Sequence, residues 1–339
     1  MKKEYFNYLR GGAWLLFALL VGLPSMMAAA GQTDELVITK DVQYEGEVNV
    51  KNLIIRDNSE DPDIIDINFM NNSTVEAITV ESGNAEIFFS GAEGVEYNLG
   101  SITVAQGAEL TLSLGFPRQM NIGSVTNNGR FIDLTGSVQK VGGTHSFEIK
   151  QAEGYSKMGT LGIHSEIKKE TLDPEMEVSL QKKEGKSWKD DEAIKDESAE
   201  HIAFSVSESG TYRLKWVYKD DKNNGYAELY SKEINLLQIT GNETLKDVHY
   251  NAIALNNGNI TEATKVSMDN VHADPCTTEE NAAGFSVGLY SNLELTLTGT
   301  NSELGILRNH GTMVLKQEGD AQLENTTIYN EGTFTDKTG

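Results

Sequence analysis

Short runs of alternating hydrophobic and polar residues follow one another along most of the chain after residue 35. Each run is bounded by Gly, Asn, Ser or Asp, which is typical of short strands joined by turns. Beyond the first 30 residues, no long stretch has the 3.6-residue periodicity of an amphipathic helix. The pattern predicts an all-β protein with strands in these runs: Leu36–Thr39, Val48–Ile55, Glu76–Val80, Glu86–Phe89, Ser101–Val104, Glu109–Leu114 and Arg130–Leu134.

Several of these runs recur at a similar spacing. The glycines of SGNAEIFF, QGAELTLSL and NNGRFIDL stand at positions 83, 107 and 129, and Asn292, Gly311 and Gly332 take the corresponding place late in the chain. Intervals of about 19 to 24 residues suit single coils of a parallel β-solenoid, in which each coil buries its inner face against the next. Alternation predicts that the leucines of the two ELTL segments point inward: Leu110, Leu112, Leu295 and Leu297.

The motif Asn-x-Gly-x-large opens three of the predicted coils. We interpret its residues as structural turns, because glycine adopts positive φ at no steric cost and Asn tolerates it better than most residues. An Asn that recurs at one corner can also hydrogen-bond to its copy in the next coil. Ligand binding is the alternative role for these residues: Asn127, Gly129, Asn309, Gly311, Asn330 and Gly332.

A different pattern separates the two repeat regions, because the glycine-spaced runs stop between residues 146 and 236 and charged residues become denser. Met176–Trp188 predicts a hairpin that turns near Gly185, and His201–Leu236 predicts three further strands. The stretch SGTYRLKW resembles the corner and following strand of an immunoglobulin-like sandwich, in which a tyrosine bonds back to the corner. Tyr212 would be that tyrosine, and Trp216 would lie with it in the sandwich core.

The N-terminus has the pattern of a secretory signal peptide. A basic start precedes the apolar run Ala13–Leu23, and the small residues Ala28–Ala30 precede a predicted cleavage site before Gly31. We therefore expect a cleaved, exported chain that is secreted or on the cell surface, with no membrane insertion of its mature part. An uncleaved membrane anchor is the alternative.

The net charge and the cysteine content limit which partners and which disulfide bonds are possible. Residues 1–30 carry three basic side chains and one acidic one, so the remaining chain has 25 basic and 50 acidic side chains and a net charge of −25. Such a chain repels phosphate backbones and anionic lipid, which argues against nucleic acid. The single cysteine, Cys276, permits no intramolecular disulfide, and it is either a half-buried thiol, a nucleophile or one half of an intermolecular bridge.

Signal, Asn-x-Gly coils and the middle segment together resemble exported, adhesin-like β-solenoid proteins of Gram-negative gut bacteria. The resemblance implies parallel β-solenoid, or β-helix-like, repeat regions that flank an immunoglobulin-like β-sandwich. The predicted organisation is a signal peptide at 1–30, a repeat region at 31–145, a sandwich domain at 146–236 and a second repeat region at 237–339. Whether the repeats form one interrupted solenoid or two modules stays open, as does a truncation of the second region.

Candidate chemistry is sparse. The acid-rich stretch DNSEDPDIID offers Asp61, Asp63 and Asp66 as a weak Ca²⁺ site, or as a solvated loop without a ligand. The six histidines form no i, i+2 or i, i+4 pair, and no P-loop, dinucleotide fingerprint or nucleophile elbow occurs. We therefore expect no catalytic residues and no cofactor other than Ca²⁺.

These observations favour a non-catalytic, adhesion-type binding protein whose partners are surface glycans or host or bacterial proteins. The alternative is a carbohydrate-active β-helix enzyme, either a polysaccharide lyase or a glycoside hydrolase, or a carbohydrate-binding module. Acidic solenoids of that class use clustered carboxylates as acid and base, so the stretch around Asp63 is where such chemistry would lie.

Overall fold

The computed structural model of the chain describes residues 25–26, 33–57, 64–115, 120–144, 146–169, 176–197, 201–220, 225–274 and 281–338. In these residues the chain forms β-strands and no helix, which confirms the predicted all-β class. Accordingly, no helix among them is long and apolar enough to cross a membrane. Most of the predicted signal peptide lies outside the described residues.

Twelve strands cover the first part of the chain. In chain order they are β1 (Ser25–Met26), β2 (Thr33–Ile38), β3 (Val42–Tyr44), β4 (Val48–Arg56), β5 (Ile64–Phe69), β6 (Ser73–Ser82), β7 (Asn84–Phe89), β8 (Tyr97–Val104), β9 (Glu109–Leu114), β10 (Met120–Asn127), β11 (Arg130–Asp133) and β12 (Lys140–Gly143). All seven runs predicted from the sequence fall within or overlap these strands.

Nine strands follow in the middle of the chain. They are β13 (Phe147–Ile149), β14 (Glu153–Lys157), β15 (Thr160–Lys169), β16 (Met176–Glu184), β17 (Ser187–Asp191), β18 (Ile194–Glu197), β19 (His201–Val206), β20 (Gly210–Asp220) and β21 (Gly225–Tyr230).

The last part of the chain contains twelve more strands, most of them short. They are β22 (Ile234–Ile239), β23 (Glu243–Tyr250), β24 (Ala252–Leu255), β25 (Thr264–Ala273), β26 (Phe285–Val287), β27 (Asn292–Leu297), β28 (Ser302–Glu303), β29 (Ile306–Asn309), β30 (Thr312–Gln317), β31 (Leu323–Glu324), β32 (Thr327–Asn330) and β33 (Thr333–Lys337).

The chain divides into two compact units. Unit 1 comprises the described residues within Met1–Phe147, Thr171–Met176 and Val217–Leu229. Unit 2 comprises those within Glu148–Glu170, Glu177–Trp216 and Tyr230–Gly339. The segment 146–236, predicted as a separate domain, contributes residues to both units, and its independence stays a prediction.

Unit 1 is a parallel β-solenoid built from two sheets. Strands β1, β3, β5, β7, β9, β11 and β21 pair in that order in one sheet, and all six pairs are parallel. Strands β2, β4, β6, β8, β10 and β12 pair in order in the other sheet, again in parallel. Each coil therefore adds one strand to each sheet, which confirms the predicted parallel solenoid.

The core of unit 1 lies between its two sheets. Tyr44, Phe69 and Phe89 stack on successive coils, with ring centroids 5.5 and 5.7 Å apart. Phe89 also contacts Tyr97 of the opposite sheet at 4.8 Å, and the Tyr97 hydroxyl donates to the Phe69 carbonyl at 3.1 Å. Burial of each such ring stabilises the fold by about 1.5–3 kcal/mol. Repetition of inward side chains, coil after coil, is what holds the unit together.

Register in unit 1 corrects one predicted repeat position. Glu109 of β9 pairs with Asn84 on one side and with Arg130 on the other. Ala108, and not Gly107, therefore aligns with the glycines of the neighbouring coils. Gly107 has a φ of 81° and belongs to the turn before the strand. The repeat predicted from sequence therefore places Gly107 one residue out of register with Gly83 and Gly129.

Unit 2 contains a second parallel solenoid. Strands β22, β24, β26, β29 and β32 form one parallel sheet, and β23, β25, β27, β30 and β33 form the other. The short strand β28 pairs in parallel with the end of β25, and β31 pairs in parallel with β28. The core of this solenoid includes Leu295 and Leu297, and in unit 1 Leu110 and Leu112 are equally buried, so all four predicted inward leucines are confirmed.

Antiparallel strands complete unit 2. Strands β14, β15, β19 and β18 pair in that order, all antiparallel. Strands β16 and β17 form the predicted hairpin with Gly185 in its turn at a φ of 62°, and β20 runs antiparallel to β22. An immunoglobulin-like arrangement of these strands stays a prediction.

Candidate functional site

A cleft of about 520 Å³ opens on unit 2, where the start of β20, the middle of β22 and the end of β23 come together. This volume lies within the range of small-molecule binding sites. Both polar and apolar residues line the cleft. Its lining residues are Ser209, Gly210, Thr211, Asn235, Leu236, Leu237, Asp247, Val248, His249 and Tyr250.

A chain of hydrogen bonds fixes the polar groups on one wall of the cleft. The Thr211 hydroxyl donates to the Asn235 side-chain oxygen at 2.8 Å, and the Asn235 backbone NH donates to the Asn251 side-chain oxygen at 2.7 Å. The Asn251 amide donates to Asp274 at 2.9 Å, and Asp274 also lies 2.9 Å from Nε2 of His249. The orientation of Thr211, Asn235 and His249 is thus set before any ligand arrives.

Asp247 also lines the cleft and lies in an irregular part of its strand. It has a φ of 51°, and Asn270 on the next coil has a φ of 55°. The Asn270 amide donates to the Asp247 carboxylate at 2.9 Å. Asp and Asn accept this left-handed backbone more readily than most residues, which explains their occurrence at the paired position.

Tyr250 and the histidines supply the remaining chemistry of this region. Burial, with a smaller contribution from Glu243, raises the pKa of the Tyr250 hydroxyl, which therefore stays a hydrogen-bond donor at neutral pH. His249 and His272 are in register on adjacent coils, with ring centroids 6.1 Å apart. Even so, no group of three or more His, Cys, Asp or Glu side chains in the described residues is arranged to hold a metal ion.

The predicted Ca²⁺ residues are only partly described. Asp61 and Asp63 lie outside the described residues, as does Cys276. Asp66 is on β5 in unit 1, where its backbone NH donates to the Asp41 side chain at 3.0 Å and its register partner on β7 is Glu86. Burial, then the charges of Asp41 and Glu86, raise the pKa of the Asp66 carboxyl to about 6.

Two of the three asparagines of the Asn-x-Gly motifs, Asn127 and Asn309, are buried in the solenoid cores, and Asn330 is exposed. Asn127 is fully buried at the inward position that Val104 occupies on the previous coil. Its side-chain oxygen accepts from the Gly129 NH at 3.1 Å, and its amide donates to the Tyr226 carbonyl at 3.0 Å. The Asn127 side chain therefore stabilises the corner from the inside of the solenoid. A turn residue that faced solvent could not make these two bonds.

Asn309 repeats this arrangement in unit 2. It is fully buried in register with Val287, and its side-chain oxygen accepts from the Gly311 NH at 3.2 Å. Its amide donates to the side-chain oxygen of Asn330 on the next coil at 2.7 Å. The two buried asparagines therefore make the same local bond in separate units, and neither takes part in the cleft.

The physical reason for the glycines differs from the one inferred from sequence. Gly129, Gly311 and Gly332 do not have positive φ. Instead, a Cβ at Gly129 would lie 2.3 Å from the Ala105 carbonyl oxygen, and one at Gly311 would lie 2.4 Å from the Ser291 carbonyl oxygen. These corners require glycine because the backbone of the neighbouring coil lies directly against them.

Tyr212 and Trp216, predicted as sandwich core, are both buried in unit 2. The Tyr212 hydroxyl donates to the Glu208 carbonyl, four residues earlier, at 2.9 Å. Within the described part of the chain, Trp216 Nε1 is buried without a hydrogen-bond partner. Neither residue lines the cleft.

Comparison with protein-family models, with curated proteins and with solved structures gave no match to this chain. The assignment of a function therefore rests on the geometry of the two units.

Sequence reasoning did not single out the cleft residues. Thr211, Asn235 and Asp247 come from three separate strands, and nothing in their local sequence marks them as a group. The closest signal was the polar and aromatic run DVHYN at Asp247–Asn251, which is unusual for a strand of a solenoid. Only the fold brings this run next to the start of β20.

Proposed function

We propose that this chain is an exported, non-catalytic binding protein, and that the cleft of unit 2 recognises a hydroxyl-rich ligand such as a sugar residue of a surface glycan. The observation that carries the proposal is that Thr211, Asn235 and His249, held by hydrogen bonds, line the same cleft as Asp247. Polar groups held in place in advance lose little conformational entropy on binding, which favours specific recognition.

The chemistry of the lining suits a neutral sugar. A carboxylate such as Asp247 accepts from sugar hydroxyls, whereas the Asn235 amide and the Tyr250 hydroxyl both donate and accept. The aromatic ring of Tyr250 offers an apolar surface to the C–H groups of a sugar. Among the described residues, no lysine or arginine lines the cleft, which favours a neutral ligand over an anionic one.

Export, the adhesion-type role and the immunoglobulin-like sandwich belong to the same proposal. The signal-peptide pattern supports export to the medium or the cell surface. The bond from Tyr212 to Glu208 supports an immunoglobulin-like corner, because a tyrosine in that fold makes such a bond to the backbone upstream. The solenoids would then serve as rigid spacers that present the cleft to its partner.

A binding screen with a matched pair of variants tests the proposal. The full mature chain would be screened against an array of neutral and acidic oligosaccharides, and the best binder titrated by calorimetry. His249→Gln, in the cleft, should weaken binding at least about tenfold, the loss expected for one good hydrogen bond. His272→Gln, in register one coil away and outside the lining, should bind like the wild type. Equal affinity of both variants, or no binder in the array, would refute the proposal.

One observation favours the alternative of a carbohydrate-active enzyme. The Asp66 carboxyl has a pKa raised to about 6 beside Asp41 and Glu86, and a carboxyl with raised pKa near ionised carboxylates is what a general acid requires. The same screen, read for reducing-end release with and without Ca²⁺, tests it. Cleavage that Asp66→Asn abolishes would establish the enzyme in place of the binding protein.

A further inference from the structure

In unit 1, small uncharged side chains cover the outer face of β6, β8 and β10. Thr79, Thr103 and Thr126 form one row across these parallel strands, each in register with the next. Ala77, Ser101 and Ser124 form a second row, two residues earlier on each strand. We call these six residues the hydroxyl face.

A row of asparagines borders the hydroxyl face. The Asn121 amide donates to the Asn98 side-chain oxygen at 2.8 Å, so the amides are linked along the row. Between this row and the serines, the residue at the same register position changes from Glu76 on β6 to Gly100 on β8 and Gly123 on β10. Charge is therefore confined to the β6 side, and β8 and β10 present a continuous neutral surface.

The hydroxyl face is accessible and its groups remain available. Ser101, Ser124 and Thr126 are exposed, and Thr79 and Thr103 are half-buried. Within the described residues, the hydroxyls of these five side chains make no hydrogen bond to another protein group. The alternate positions on the same strands fill the core of the unit, so the outer rows are not needed for packing.

Unit 2 shows that a solenoid of this chain does not require such a face. On the corresponding outer surface of its second sheet, Lys316 pairs with Glu294 at 2.7 Å and Lys246 pairs with Asp269 at 2.8 Å. Charged residues make up 23% of the whole chain, so a neutral array on three successive coils is a departure from its usual surface. The neutral hydroxyl face of unit 1 therefore needs an explanation that does not apply to the charged sheet of unit 2.

The spacing and chemistry of the face define its partner. Neighbouring strands lie about 4.8 Å apart and alternate residues of a strand about 6.6 Å apart, so the hydroxyls form a regular lattice. Hydroxyls and amides both donate and accept, and Thr and Ala methyl groups add small apolar contacts. A neutral ligand with hydroxyls repeated along an extended chain matches these features.

A second copy of the chain fits less well. Three strands by about six residues cover only about 300 Å², less than half of the roughly 800 Å² per partner that stable protein interfaces bury. The strongly negative net charge of the chain also opposes self-association. An elongated polysaccharide needs no such area, because it can extend beyond the face on both sides.

We propose that the hydroxyl face of unit 1 binds a neutral, hydroxyl-rich polysaccharide that lies across strands β6, β8 and β10. This site is separate from the cleft of unit 2 and does not depend on it. Thr103 stands at the centre of its row, so a change there affects the whole face. Thr296 on β27 of unit 2 is the matched position, since it lies in an outward row between Ser267 and Lys316.

The test uses the full mature chain on insoluble cellulose, and in native gels that contain xylan, galactomannan or alginate. We expect retention by at least one neutral polysaccharide and none by alginate. Thr103→Lys should reduce retention at least tenfold and Thr103→Val at least threefold, whereas Thr296→Lys should bind like the wild type. The isosteric valine keeps the test informative if the lysine variant fails to fold.

Several results would overturn the proposal. These are no retention by any neutral polysaccharide, retention by alginate alone, or equal retention of the Thr103 and Thr296 variants. Inhibition of ice recrystallisation without polysaccharide binding would instead mean that the lattice orders water. Loss of retention in His249→Gln but not in Thr103→Lys would assign the glycan to the cleft and would leave the hydroxyl face without its ligand.

Discussion

The side-chain amide of Asn309 donates to the side-chain oxygen of Asn330, one coil further along unit 2, at 2.7 Å. Both residues occupy the inward register position that Val287 and Leu255 fill on earlier coils. A polar ladder thus replaces a hydrophobic one within a single row of the core. Asn309 is fully buried, and its hydrogen bond to the exposed Asn330 fixes the register of the two strands.

Removal of the buried amide should be costly. Asn309→Ala leaves the Gly311 NH without its acceptor and opens a small cavity, so we expect a loss of about 2–3 kcal/mol in the free energy of unfolding. Asn256→Ala, at an exposed position of unit 2, is the control and should change it by less than about 0.5 kcal/mol. Urea denaturation followed by circular dichroism measures both, and equal midpoints would show that the ladder does not stabilise the fold.

The glycines allow a second test, which separates backbone contact from backbone strain. Gly311→Ala brings a Cβ to 2.4 Å from the Ser291 carbonyl, so we expect more than about 3 kcal/mol of destabilisation. Gly94 has a φ of 85° with open space around it, so Gly94→Ala should cost only about 1 kcal/mol of strain. A larger melting shift for Gly94→Ala than for Gly311→Ala would mean that strain, and not contact, requires glycine at these turns.

Asp66 predicts a pH-dependent stability with a definite sign. Its pKa is raised to about 6 in the fold, against about 3.9 in an unfolded chain, so its ionisation opposes folding as the pH rises through that interval. Asp66→Asn should therefore stabilise the protein at pH 7.5 by about 1 kcal/mol, after allowance for solvent screening, and by nothing at pH 4.

Asp34 provides the opposite case for the same measurement. A hydrogen bond and the charge of Lys51 lower the pKa of its carboxyl, so its contribution is present at neutral pH and is lost as the pH falls. Asp34→Asn should leave stability unchanged or slightly reduced at pH 7.5. Thermal unfolding of both variants between pH 4 and 8 decides the matter, and a stabilisation by Asp66→Asn that does not vary with pH would exclude the ionisation of Asp66 as its cause.

Tyr212 tests the corner of the antiparallel region. Tyr212→Phe removes the hydroxyl that bonds the Glu208 carbonyl and Lys182, so we expect a loss of about 1–2 kcal/mol by chemical denaturation. Tyr250→Phe, a half-buried tyrosine in the cleft, is the matched control and should cost less. If the two variants unfold at the same denaturant concentration, the Tyr212 bond has no special role in the corner.

The sequence predicted the solenoid because its strongest signal is local. Alternation placed Leu110 and Leu295 inward correctly, and the Asn-x-Gly motifs marked real corners. The register between coils was harder to predict from the sequence. The structure aligns Ser291, and not Asn292, with Gly311. Glycines in adjacent turns look alike in sequence, whereas only strand pairing shows which of them lies against the next coil.

The two candidate sites could not be predicted from local sequence patterns, for a related reason. The cleft joins Thr211 to Asp247 through the folding of β20 onto β22, a pairing that no short window contains. The row of Thr79, Thr103 and Thr126 is regular only once the coils are stacked, because the intervals between these threonines are unequal in sequence. Both sites are consequences of register.

The most direct test of the account is to locate the ligand on the protein. Hydrogen–deuterium exchange of the full mature chain would be measured with and without the neutral oligosaccharide that binds best in the array. The account predicts slower exchange in Ser209–Thr211 and Asp247–Tyr250, which line the cleft of unit 2. The same peptides of the His249→Gln variant should show no such change. Protection confined to other segments, or none despite binding, would contradict the assignment of the cleft as the binding site.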